Sequence, residues 1–391
     1  MPATLTPQRT SVATFAATPP ATAWHWRTFS RTEAATALAE WRHLEERLQS
    51  GGLSNSTLWV DSWLQHYGDW IPHHFVAAYE GDDLRGITLL TSGVGQKLGP
   101  VDLKTVHLGT AGEPVGHSVV IEYNRPLVET GYEFEFAAGI TALLQHDLSW
   151  EQIRLDGIHV DELGPWSKCF PEAEVRKRES RYFDFEVVRA TGTDILGQLG
   201  SSTRSNIRRR IKKYGTLDTT WVTGADEGRE VFEELISLHQ ARWQSVGQPG
   251  AFASPRFAAF QRDIALRLLA TGCAALFRVR HEGETVGCLF LLNDRNRLLD
   301  YLSGFADFEA KPSIGLISHY LCMEAALERG YSAYDFLVGD KQHKQNLSNA
   351  ATELCWLSWT RPNWKTYCLN GLRRAKKFLN QLRGQKPRTA E

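Results

Sequence analysis

Apolar residues recur at helical spacing from Ala34 to Gln49, where Ala37, Leu38, Trp41, Leu44 and Leu48 fall on one face. Gly51-Gly52 ends that run. Ser56 or Thr57 can cap a second helix over Leu58–Tyr67, closed by Gly68. The period then changes. Phe75–Tyr79 and Leu84–Leu90 flank the turn Glu80-Gly81-Asp82-Asp83 and predict a β-hairpin. Val119–Tyr123 reads as a further strand, Tyr132–Gln145 as a helix, and Gln152–Leu155 as a strand.

A second series starts near residue 191. Asp194–Leu199 is a short helix, Ser202–Tyr214 a basic one and Thr219–Val222 a strand. Asp226–Ser245 is a long amphipathic helix carrying Val231, Phe232, Leu235, Ile236, Leu238 and Trp243. Ser254 caps the next helix, with Pro255 at its first position, and the run extends to Leu269. Ala274–Arg280 and Thr285–Leu292 form a second hairpin around His281-Glu282-Gly283-Glu284, and Arg297–Ser303 continues the meander. Ile314–Arg329 is a helix ended by Gly330. Tyr334–Leu337 and Cys355–Thr360 are strands, and Trp364–Leu382 is a basic C-terminal helix. Both series run helices, hairpin, strand, helix, short strand. A repeat at a period of about 170–200 residues predicts a duplicated α/β domain. The expected division is a disordered tail over 1–23, an N-terminal domain over 24–190 and a C-terminal, catalytic domain over 191–391.

Composition narrows the classes. Of 391 residues, 42% are apolar and 23% charged, which excludes a disordered, collagen-like or coiled-coil chain. Lys and Arg number 44 against 45 Asp and Glu, and a net charge of -1 argues against a dedicated nucleic-acid binder. Thirteen tryptophans are the one oddity, each a large rigid apolar group with a polar handle. No run reaches ~18 apolar residues, so no transmembrane helix is expected. Residues 1–23 are rich in Thr, Ala and Pro and lack the apolar core of a secretory signal. None of the six cysteines falls in a C-x-x-C pair, which suits buried thiols in a reducing cytosol. No H-E-x-x-H or phosphate-binding P-loop string occurs, and no metal is expected.

The segment Pro312-Ser313-Ile314-Gly315-Leu316 opens a helix directly after a strand and loop. Free N–H groups and the helix dipole at such a start can hold a pyrophosphate, and Gly315 lets it approach the backbone. The plain alternative is a capped helix with a tolerated glycine. Arg204, Arg208, Arg209, Arg210, Lys212 and Lys213 form a basic run in which Arg204, Arg208 and Lys212 share a face. It reads either as a grip on an anionic substrate or as a solvated helix face. Arg242 and Trp243 read as a wall of an acceptor cleft or as core packing. His73, His74, His239 and His319 read as structural.

The run from Gly283 to Leu347 resembles the C-terminal domain of the CelD/BcsL-type acetyltransferases of the GNAT superfamily, which are similar to the Fem-type aminoacyltransferases. The resemblance rests on Tyr301, Lys311-Pro312-Ser313-Ile314-Gly315-Leu316, Glu324 to Tyr331, Tyr334-Asp335-Phe336-Leu337-Val338-Gly339-Asp340 and Lys344. Upstream, Ser202 to Arg209, Leu238-His239-Gln240-Ala241-Arg242-Trp243, Trp41 to Leu44 and Thr57 to Trp70 also fit, so it covers most of 25–375. His343 stands where the family often has Tyr, and of the usual Gly-rich phosphate loop only Ser313-Ile314-Gly315 remains.

The resemblance implies tandem GNAT-like domains, each a mixed, mostly antiparallel sheet flanked by helices. It implies acyl transfer from acyl-CoA to an amine or hydroxyl of a small-molecule, glycan or lipid-linked acceptor, such as a sugar or an envelope or exopolysaccharide precursor, in the cytoplasm. Ser313, Ile314, Gly315 and Leu316 would hold the donor. Arg204, Arg208, Arg242, Trp243 and Tyr301 would hold the acceptor. Asp340 and His343 lie just past a strand's C-terminal end, where ligands gather in open α/β sheets. His343 would be the general base, Asp340 would orient it or the acceptor, and Lys344 would pair with a phosphate or the oxyanion. The plain alternative is a solvated polar loop. Two other readings follow: a Fem-type transferase using aminoacyl-tRNA, and a catalytically degenerate binding protein.

Overall fold

The computed structural model describes residues 24–362 apart from 49–50, 94–96, 99–100, 120–121 and 148, together with Tyr367. The expected tail over 1–23 lies outside these residues, as does the expected helix Trp364–Leu382 except for Tyr367. The first half runs β1 (Trp24–Phe29), α1 (Ala34–Leu48), α2 (Thr57–Tyr67), β2 (His73–Glu80) and β3 (Asp83–Gly93). A two-residue pair follows, β4 (Lys97–Leu98) and β5 (Val101–Asp102), then β6 (Thr105–Leu108), β7 (Leu127–Val128), α3 (Glu133–His146), β8 (Gln152–His159), α4 (Gly164–Cys169) and β9 (Glu174–Asp184). The second runs α5 (Phe185–Thr191), α6 (Ile195–Gln198), α7 (Ser201–Tyr214), β10 (Asp218–Val222), α8 (Ala225–Ser245), α9 (Pro255–Ala270), β11 (Ala274–His281), β12 (Glu284–Asp294) and β13 (Arg297–Phe305). It closes with α10 (Ile314–Glu328), β14 (Ala333–Val338), α11 (Gln342–Leu347) and β15 (Ala350–Thr360).

Local chemistry sets the element ends. Ser56 caps α2 by accepting from the Trp59 N–H, and Ser254 caps α9 by accepting from Phe257, with Pro255 at the first position. Gly81 closes the β2–β3 turn at φ 62°, and Glu282-Gly283 close the β11–β12 turn at 55° and 82°. Of the strand expected over Val119–Tyr123, the described residues Val119, Glu122 and Tyr123 form none. Tyr123 takes a left-handed φ of 62°.

One mixed sheet runs through both halves in the order β1-β2-β3-β6-β8-β15-β9-β14-β13-β12-β11-β10, with β7 added on β3. The unit repeats. In each half a hairpin is followed by a third antiparallel strand, a crossover helix and a parallel strand, β6 beside β8 across α3 and β13 beside β14 across α10. The last strand of each half then crosses over. β9 pairs with β14 of the second half, β15 pairs with β8 of the first, and the two pair with each other. Neither β1 nor β9 is among the elements expected above. Six of the eleven residues of β9 are exposed in succession, so it lacks the alternation that marks a half-buried strand.

The halves share a core. Trp41, Trp59, Trp63 and Phe75 of the first pack in one cluster with Phe232, Phe260, Ile264 and Phe290 of the second. A second cluster lies under α10 and a third under α3. The tryptophan excess is partly explained here. Trp41, Trp59 and Trp63 are fully buried, and their indole N–H groups donate to Asn55 O, Thr110 Oγ1 and the Glu113 carboxylate. No described helix is long and apolar enough to cross a membrane.

Candidate active site

β13 and β14 pair over three residues only, Arg297–Leu299 against Ala333–Asp335. Beyond them β14 turns aside. Leu337 has a left-handed φ of 60°, and its N–H donates to Asp335 Oδ1 at 2.8 Å. The Val338 N–H donates to Glu122 Oε2 at 2.7 Å. Lys344 Nζ donates to the carbonyls of Leu337 and Val338 at 3.1 and 3.0 Å. The polar groups at the end of β14 are thus satisfied away from β13, so the strands part without leaving them buried and unpaired.

A cleft of about 520 Å³ fills the gap. β13 contributes Asp300, Tyr301, Ser303 and Phe305 to its wall. Strict alternation would not bring two consecutive side chains to it. The register against β12 shifts there, Leu291 opposing Asp300 while Phe290 opposes Leu302, so Tyr301 is an extra residue in a bulge. Tyr301 Oη accepts from Gln261 Nε2 at 2.9 Å. The Ser303 carbonyl accepts from His239 Nδ1 at 3.1 Å, which fixes that ring's tautomer and ties α8 to β13.

The start of α10 forms a second wall through Ser313, Gly315 and Leu316. Ser313 stands at the N-cap in a left-handed conformation, φ 66°, and its hydroxyl makes no capping bond. The first-turn N–H groups are therefore left without a side-chain cap, and Gly315 puts no side chain over them. This arrangement fits an acyl donor's phosphates. Ile314 departs from the expected donor set, since its side chain is fully buried in the core beneath the helix.

The third wall is Val338, Gly339, Lys341, Gln342, His343, Lys344 and Asn346. His343 packs parallel to His319, centroids 5.3 Å apart. Asp300, His319 and His343 come together, each offering a polar atom within 4.8 Å of the others. The Asp300 side chain is 9% exposed, and its Oδ1 lacks a hydrogen-bond partner among the described residues. Burial pushes its carboxyl up to about 6. Burial pulls His343 down to about 4 and His319 to about 3, so both imidazoles are neutral near pH 7. His319 Nδ1 lies 3.0 Å from Tyr334 Oη. Burial also lowers Lys344, while the Asp300 charge opposes that shift.

The structure thus brings His343, Lys344, Ser313, Gly315, Leu316, Tyr301 and Arg242 to one cleft, with Arg242 over the Phe308 ring at 4.1 Å. Asp340 is exposed outside the lining. Arg204, Arg208 and Trp243 also lie outside it. Trp243 is 41% exposed and contacts His239. Asp300 is not singled out by the sequence, and His319, read there as structural, lines the cleft. Their signal was polar residues inside an apolar run, Asp300 after Leu298-Leu299 on β13 and Ser318-His319 after Leu316-Ile317 on α10.

Residues 201–345 match the family described as Acetyltransferase (GNAT) domain. No curated protein matches the chain by sequence. Among solved structures, FemX is similar at 12% identity and a TM-score of 0.55, covering 88% of this chain and 99% of its own. The C-terminal domain of a protein described as a lysylphosphatidylglycerol synthetase, from Agrobacterium fabrum, is similar at 10% identity and a TM-score of 0.53, covering 88% and 96%. At such identities the likeness is one of fold. Residues 201–345 thus match the acetyltransferase (GNAT) domain family, within a chain whose fold is similar over 88% of its length to that of FemX.

Proposed function

We propose that this chain is an acyl-CoA-dependent N- or O-acyltransferase, acting in the cytoplasm on an amine or hydroxyl of a sugar or an envelope or exopolysaccharide precursor. The pathway and the CelD/BcsL type rest on the sequence resemblance. In this reading 191–391 is the catalytic domain and 24–190 its partner. The observation that carries it is the cleft between β13 and β14, which sets a bare helix start opposite a neutral histidine. The donor's pyrophosphate would lie on the α10 start, with the thioester reaching down toward Tyr301 and Ser303.

The acceptor's lone pair attacks the thioester carbonyl, a tetrahedral oxyanion forms, and its collapse breaks the C–S bond and expels a thiolate. His343, neutral near pH 7, takes the acceptor's proton, and the Asp300 carboxylate stabilises the imidazolium that forms. Lys344 puts a positive charge beside the developing oxyanion. Holding both substrates in register supplies the rest of the rate.

The test is release of free thiol from acetyl-CoA in the presence of amino-sugar and hydroxyl acceptors. Acetyl-CoA should also raise stability by about 2.7 kcal/mol at a hundredfold excess over Kd. No stabilisation by any acyl-CoA would overturn the reading. An aminoacyl-tRNA donor is the second reading, favoured by the basic α7 beside the cleft. Stabilisation by charged tRNA alone would select it, and none by either donor would leave a binding protein.

A further inference from the structure

A second groove of about 520 Å³ runs along α7. Leu316 and Asn346 line both it and the central cleft, so the two adjoin. The rest of its wall is one stripe of α7: Ser202, Thr203, Ser205, Asn206, Arg209 and Arg210. Ser202, Asn206 and Arg209, like Thr203, Asn206 and Arg210, follow the three- and four-residue spacing of a helix face. The face is set by burial, since Ile207 anchors α7 in the core with Ile211 and Tyr214 packed against it. Arg204 and Arg208 fall on a different stripe and do not line the groove.

The groove's chemistry is one-sided. Among the described residues that line it none is acidic, while two carry guanidinium groups. Arg209 Nη2 donates to the neutral Asn206 Oδ1 at 3.1 Å, and among the described residues no carboxylate pairs with its charge. Arg210 Nε is buried and lacks a hydrogen-bond partner among the described residues. A buried N–H without an acceptor is costly, and a ligand oxygen would relieve that cost. Ser202 and Thr203 stand in the first turn of a 14-residue helix whose N-cap, Gly200, offers no side-chain cap.

We propose that this groove binds a phosphate group at the far end of the acyl donor, with Arg209 and Arg210 as its charged contacts. The inference rests on the central cleft being the donor site. Acyl-CoA carries its thioester at one end and its phosphates toward the other, which suits two adjoining compartments of opposite task. The guanidinium fork pairs with phosphate oxygens through charge-assisted hydrogen bonds. Binding energy gained there, remote from the reacting carbonyl, would position the thioester.

The experiment is calorimetric titration of the full chain with acetyl-CoA, 3′-dephospho-acetyl-CoA and adenosine 3′,5′-bisphosphate. Wild type is compared with the Arg209→Gln/Arg210→Gln double variant and with Arg208→Gln. The double variant should bind acetyl-CoA at least about tenfold more weakly, and Arg208→Gln should match wild type. Should the double variant fail to fold, Arg209→Gln alone, at an exposed position, carries the test. If the variant loses nothing against the 3′-dephospho analogue, the groove holds the 3′-phosphate. If the loss persists there, the arginines do not read the far-end phosphate and the proposal is overturned. Unchanged affinity for acetyl-CoA in the variant overturns the groove and leaves the donor reading intact. Wild-type binding of the bisphosphate but not of acetyl-CoA, lost in the variant, upholds the groove and overturns the donor reading. No binding of either by wild type overturns both.

Discussion

The Val338 N–H donates to Glu122 Oε2 at 2.7 Å, so a carboxylate from the first half holds the strand end that opens the cleft in the second. Glu122→Ala removes that hold. It should lower kcat/KM by up to about a hundredfold through misplacement of the cleft wall. It should also cost about 1–3 kcal/mol of stability, because a backbone N–H loses its acceptor. Glu122→Gln, whose amide oxygen can accept the same bond, should keep most activity. Steady-state kinetics with urea unfolding check this, and equal activity in Ala and Gln variants would refute it.

Asp335 is the node between the halves. It is fully buried and accepts from Tyr123 Oη, Ser180 Oγ, Arg297 Nη1 and the Leu337 N–H. Asp335→Ala strips a half-buried Arg297 of its counter-charge and should destabilise by about 3 kcal/mol. Tyr123→Phe removes one hydrogen bond and should cost about 1 kcal/mol. Chemical denaturation of both variants measures the difference, and equal costs would argue against Asp335 as the node.

The pH profile follows from Asp300 and His343. Burial raises the Asp300 carboxyl to about 6 and lowers His343 to about 4. Proton acceptance needs neutral His343, present above about 4, and an ionised Asp300, present above about 6. Activity should therefore rise as pH increases through about 6 and be lost below it. Asp300→Asn should lower the plateau rate and abolish the limb near pH 6. A limb that survives in the Asn variant would exclude Asp300 as its origin.

His343→Ala should reduce kcat by about 10²–10⁴-fold, the usual worth of a general base. Asp340, exposed and outside the cleft lining, should tolerate Ala within a few-fold by the same scale. Lys344→Met should lose activity for two reasons, since it removes the charge proposed beside the oxyanion and frees the Leu337 and Val338 carbonyls that Lys344 now holds. Comparable losses at positions 340 and 343 would refute the placing of Asp340 outside the site.

Much of the architecture was legible because local pattern encodes it. The Gly81 and Gly283 turns fixed both hairpins, Ser254-Pro255 fixed the start of α9, and the shared order of elements gave the duplication. The candidate donor segment and His343-Lys344 were legible too, since they sit where a strand hands over to a helix. β9 was not, because its side chains are largely exposed and carry no period. Asp300 was not, because a bulge, visible only in the pairing with β12, brings it to the cleft beside Tyr301.

On α7 the sequence established that the arginines lie on helical stripes, but the anchoring of Ile207 in the core decided that Arg209 and Arg210, rather than Arg204 and Arg208, face the groove. The exchange of β9 and β15 between the halves is likewise a tertiary matter. Periodicity records which face of a segment is buried. It does not record which strand, some 170 residues away, supplies the hydrogen bonds along its edge.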